Sequence, residues 1–155
     1  MDKPKIKLYS EHIGDKLDID NISFRDVLVF YYQFLNSDPF KKKIISTLTQ
    51  DQILFFQDEL YFVEKNVHGI LSELEKKEKS IFLRGIHVNS SGLFRGLVRL
   101  LITGFCSENS MLNYSNYEEY IVEDFLELAV SCVFDMEEDF PELLINFVDM
   151  YQKET

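Results

Sequence analysis

Apolar residues recur at three- and four-residue steps through most of this chain, and that spacing predicts helices. The longest such run places Ile53, Phe56, Leu60, Val63, Val67, Ile70 or Leu71, and Leu74 on one stripe. A capping box over Thr49–Gln52 opens it, and the charged stretch ELEKKEKS closes it. The pattern predicts one helix of about 25 residues, bent near His68-Gly69. Upstream, Ser23 with Asp26 three residues on starts a helix that is apolar on nearly all sides and runs to Leu35. Asp38-Pro39 opens a short helix through Leu48 that carries Lys41-Lys42-Lys43.

Ser80 to His87 reads as one or two helical turns, and Val88 to Gly92 as the clearest break in the chain. Leu93 to Phe105 is strongly apolar, with Gly92, Arg95, Gly96, Arg99 and Thr103 sharing one narrow face. Ser107 to Asn113 reads as a polar loop. A box over Ser115–Glu118 then starts a helix with Ile121, Phe125, Leu128, Ala129, Cys132, Val133 and Met136 on its core stripe. Asp139, Glu142 and Pro141 open a last helix with Leu144, Phe147, Val148 and Tyr151 inward. Residues 1–20, where Lys3, Lys5 and Lys7 alternate with Pro4, Ile6 and Leu8, read as an extended or frayed arm. These elements predict an all-α, single-domain bundle of six or seven helices over residues 1–155, built around Phe24–Leu35 and Leu93–Phe105.

Composition agrees with that reading. Fourteen Phe and eight Tyr against three Pro and six Gly favour a packed helical protein over a disordered acidic chain. Cys106 and Cys132 lie in apolar segments, outside any CxxC pattern, and read as buried free thiols. No stretch reaches the ~18 apolar residues of a membrane span, so the expectation is a cytoplasmic protein.

Charge changes the picture most. From Cys106 to Thr155 there are 13 acidic residues and a single base, Lys153, while the rest of the chain is nearly balanced. Glu119, Glu123 and Glu127 form a ladder at four-residue steps with Asp124 beside them, and Asp135, Glu137, Glu138 and Asp139 cluster beyond. Read as lying past the first helical turn, Glu123, Asp124 and Glu127 oppose their own helix, by about 0.2–0.5 kcal/mol per like-charged pair. Tyr117 and Tyr120 stand close enough in sequence to anchor an interface. Such a face repels nucleic acid and anionic membrane and suits a basic protein. The expectation is a non-enzymatic inhibitor that occludes a basic partner, as an immunity protein or antitoxin would neutralise a nuclease toxin.

Chemistry-bearing motifs do not compete with this. An EF-hand beginning at Asp135 needs Gly and Glu where Phe140 and Asn146 stand. His12, His68 and His87 lack metal-ligand spacing, and neither a GxSxG elbow nor a phosphate-binding glycine loop occurs. The sequence therefore predicts no catalytic residue, metal or cofactor. Arg95 and Arg99, four apart on an apolar helix, read as partners of internal carboxylates or as lining of a polar seam.

A second reading rests on Phe94-Arg95-Gly96-Leu97-Val98. This stretch resembles the motif that begins the central helix of Bcl-2-type cell-death regulators. That motif carries Trp-Gly-Arg; here Trp is absent and Arg precedes Gly. The resemblance implies a virus-encoded module whose hydrophobic groove binds an amphipathic helix.

Overall fold

The computed structural model describes residues 3–115, 120–136 and 139–151, and every regular element among them is helical. In order they are α1 (Lys3–Leu17), a 3-10 turn (Ile19–Asn21), α2 (Phe24–Leu35), α3 (Asp38–Thr47) and α4 (Gln50–Val67). There follow α5 (Glu73–Val88), α6 (Gly92–Gly104), α7 (Glu108–Ser115), α8 (Ile121–Phe134) and α9 (Asp139–Met150). The all-α class holds. Nine α-helices among the described residues exceed the six or seven expected, and each excess has a local cause.

The N-terminal segment is a helix rather than an arm. Ile6, Ile13, Gly14 and Leu17 are buried, with Tyr9 half-buried between them, so the inward face follows a helical period that alternating lysines disguise. That face packs on α8 and α9.

The single long helix expected from residue 49 is two helices. Val67 ends the first, and Gly69 takes a left-handed φ of 72°. Its amide donates to the Asn66 carbonyl at 3.0 Å and the Ile70 amide donates to Lys65 at 3.0 Å, the paired bonds of a Schellman stop. Ser72 and Glu75 then exchange capping hydrogen bonds at 3.0 and 3.1 Å. The charged stretch is therefore the start of α5, which absorbs Ser80–His87. Hydrogen bonding from the Ser72 backbone amide, and then from its side chain, holds the Glu75 carboxyl below its usual range.

The supposed loop after Cys106 is α7. Ser107 and Ser110 cap it reciprocally, at 2.8 and 3.1 Å, and Met111 buries its side chain.

Helix α6 lies at the centre, against α2, α4, α5 and α8. Leu97, Val98, Leu100 and Leu101 are fully buried. Tyr31 of α2 donates its hydroxyl to the Leu100 carbonyl. Two glycines on α6 admit close neighbours: a Cβ at Gly104 would lie 3.0 Å from both Val63 methyls, and one at Gly96 would lie 3.1 Å from Met136. The expected core pair, α2 and α6, is thus found at the centre, with α8 as a third buried helix. Among the described residues no helix is long and apolar enough to cross a membrane.

Candidate functional site

The acidic third divides once its side chains are placed. Glu119, Glu137, Glu138 and Tyr117, together with most of the Ser115–Glu118 box, lie outside the described residues. Helix α8 begins at Ile121, so Glu123 and Asp124 occupy its first turn. There a carboxylate is favoured by the unpaired amides of the helix end. This corrects the expectation that these two acids oppose their helix. Glu127 is exposed one turn later, and Tyr120 is exposed at the helix start.

Both described acids of the second cluster are engaged within the fold. Asp135 accepts a charge-assisted hydrogen bond from Arg99 of α6. Asp139 accepts from the Lys43 ammonium of α3 at 2.8 Å. Arg99 thus takes the structural role that its spacing suggested, while Arg95 donates to His87 at 3.3 Å. Asp135 and Asp139 remain exposed despite these pairs. Of the ladder, Glu123 and Glu127 are exposed among the described residues.

A different surface emerges on α4 and α5. Both helices lie on α6 but scarcely on each other. Helix α4 turns Ile53, Phe56, Leu60, Val63 and Val67 into the core. A second stripe on it, Phe55, Glu59, Phe62 and Asn66, follows the same three- and four-residue steps about a quarter-turn away. Opposite stand Glu75, Lys79, Phe82 and Ile86 of α5, again at helical spacing. The result is a groove between two helices, with the start of α6 meeting its Phe55 end.

The groove's chemistry is aromatic. Phe94 of α6 meets Phe55 edge-on, with ring centroids 5.6 Å apart. Phe62, Leu71 and Phe82 line a depression of about 330 Å³ at the other end, rimmed by Glu75, Glu78 and Lys79. The Lys79 ammonium lies 3.7 Å from the Phe62 ring centroid and 3.1 Å from both Glu59 oxygens. It ties the two walls together and stacks on an aromatic face at once.

Apolar exposure is spread over the α4–α5 hairpin, on the groove side at Phe82 and on the far side of α5 at Leu74 and Ile81. Among the described residues, seven of the twelve large exposed hydrophobics fall between residues 54 and 88: Leu54, Tyr61, Ile70, Leu74, Ile81, Phe82 and Val88. Helix α5 buries only Leu83 fully. Solitary exposed apolar residues mean little, but a concentration on one helical hairpin marks an interaction surface.

Comparison with protein-family models, with curated proteins and with solved structures returns no match for this chain.

Other reactive groups are packing groups. Burial pushes the Cys106 thiol up to about 11 and raises that of Cys132, so both stay protonated at neutral pH. Burial likewise raises the Tyr31 phenol well above its ordinary value. Among the described residues no cluster of His, Cys, Asp and Glu has metal-holding geometry. The α4–α5 groove was only partly visible in the sequence. Phe55 and Phe62 interrupt the polar flanks of the α4 stripe, and that second apolar face was its one signal.

Proposed function

We propose that this protein is a non-enzymatic binding module that receives an amphipathic helix from a partner along the α4–α5 groove. The observation that carries the proposal is the apolar depression of about 330 Å³ that Phe62 of α4, Phe82 of α5 and Leu71 line between the two helices. An incoming helix with apolar residues at three- and four-residue steps would cover Phe62, Leu71 and Phe82 and meet the Phe55–Phe94 pair. The position of α6 adds support. Phe94, the first residue of the stretch that resembles the Bcl-2-type motif, stands at the Phe55 end of the groove, and Leu97 and Val98 root it in the core. A Bcl-2-type regulator of cell death is the biological class this reading favours.

The acidic-inhibitor reading is the second one: Asp135 and Asp139 each pair with a cation of the fold yet stay exposed, as Glu123 and Glu127 do. One experiment separates the two. Labelled amphipathic helical peptides are titrated into wild type, Phe62→Glu and the double variant Glu123→Gln/Glu127→Gln, each at low and high salt. The groove reading expects the Phe62 change to weaken binding at least about tenfold, with little salt effect and no effect of the double variant. Binding lost with the glutamates and with salt would favour the inhibitor reading instead.

A further inference from the structure

Helix α5 has a second concave side, away from the groove. There it forms a cleft of about 530 Å³ with the end of α6 and with α7. Leu74 and Ile81 form its α5 wall and are 65% and 60% exposed. Ile102 and Phe105 supply an apolar floor, and Asn109 and Asn113 of α7 face them.

Three cations, Lys76, Lys77 and Arg84, and one carboxylate, Glu73, line the same cleft. Of the basic residues on α4, α5 and α6, Lys65 lies over the Tyr61 and Phe62 rings at 4.8 and 5.2 Å. Lys76 pairs with Glu73 at 3.3 Å, Lys79 with Glu59, Arg95 with His87 and Arg99 with Asp135. Lys77 and Arg84, both lining the cleft, have no hydrogen bond or ion pair among the described residues. They stand seven residues apart, as Leu74 and Ile81 do. Each pair therefore runs along one line of the helix, about 10.5 Å in length.

We propose that this cleft is a second docking site, for an acidic amphipathic helix of a partner protein that sets two carboxylates against Lys77 and Arg84 and apolar residues against Leu74, Ile81 and Phe105. Charge complementarity selects the occupant. An apolar segment alone leaves Lys77 and Arg84 uncompensated, and a basic one meets like charge. An anionic membrane surface fits less well, because Glu73, Glu75 and Glu78 share α5 and the whole chain carries −11. A partner helix can place its acids at two points, whereas a bilayer presents headgroups to the entire face.

The test uses the full chain and a designed 18-residue peptide, with two Leu seven apart, two Glu seven apart one turn away, and Ala and Gln elsewhere. Binding is followed by amide chemical shifts. The proposal expects shifts confined to α5, the end of α6 and α7. It expects affinity to fall at least about tenfold in Lys77→Glu/Arg84→Glu and when the peptide's Glu become Gln, and to hold in Phe62→Glu. Ile81→Ser gives an uncharged check and should weaken binding as well. No shifts at about 1 mM peptide, indifference to the charge reversal, or loss in Phe62→Glu overturns the proposal. So does binding to phosphatidylserine vesicles that the same reversal abolishes without any peptide binding.

Discussion

Lys79 of α5 places its ammonium 3.1 Å from both carboxylate oxygens of Glu59 on α4, and the Glu59 side chain is only 8% exposed. Removing the lysine leaves a buried carboxylate without its counter-charge. Lys79→Met should destabilise the fold by about 3 kcal/mol, at the low end for a broken buried pair because Lys79 keeps some solvent contact. Glu59→Gln/Lys79→Met together should recover much of that loss. Urea unfolding of the two single variants and the double reads the coupling directly, and additive losses would contradict it.

The approach of α4 to α6 depends on the absence of a side chain at residue 104. A Cβ there would meet both Val63 methyls at 3.0 Å. Gly104→Ala should therefore cost about 1–3 kcal/mol, despite the better helix propensity of Ala. Val63→Ala in the same chain should relieve the clash, so the double variant loses less than the two singles combined. Thermal melts of the three variants check this.

On α8 the first-turn position of Glu123 reverses its expected sign. Glu123→Gln should lower stability by about 0.3–1 kcal/mol, because the carboxylate favours the positive helix end. Glu127→Gln should be neutral or slightly stabilising, since it removes a like charge four residues from Glu123. Equal stabilisation by both changes would mean that the helix begins earlier than Ile121.

His87 gives a pH signature. Burial first, then the charges of Arg95 and Arg99, hold its imidazole below the ordinary histidine value. In the unfolded chain His87 takes up a proton near pH 6.5, and in the folded chain only at lower pH. Between those points the unfolded state binds more protons, so stability rises with pH there. The contribution is present above about pH 6.5 and is lost as pH falls through the folded value. His87→Gln should flatten this slope when urea midpoints are compared at about pH 7.5 and about pH 5. His12 and His68 are common to both proteins and cancel in the difference.

The sequence carried the helical class through its three- and four-residue spacing, and the apolar runs Phe24–Leu35 and Leu93–Phe105 marked two central helices. What it concealed was punctuation. The apolar stripe of α4 continues past Val67 in register, so it masks the stop that Gly69 enforces, although Ser72 and Glu75 spelled out the next cap. Lysines on the solvent side of α1 broke up a helical face whose inward residues were regular. The pairing of Asp135 and Asp139 was hidden for a different reason. A carboxylate's availability depends on which cation folds next to it, and Arg99 and Lys43 are 36 and 96 residues from Asp135 and Asp139. The groove left only the second apolar face of α4, Phe55 and Phe62, in the sequence, because its other wall comes from α5, which the apolar stripe had merged with α4.

The central claim is that a partner helix lies between α4 and α5, and mapping the footprint of a bound amphipathic peptide on selectively labelled phenylalanines tests it most directly. The account predicts perturbed ring signals from Phe55, Phe62, Phe82 and Phe94, with Phe24 and Phe125 of the opposite core unchanged. A footprint centred on α8 beside Glu123 and Glu127, with the four groove rings silent, would contradict it.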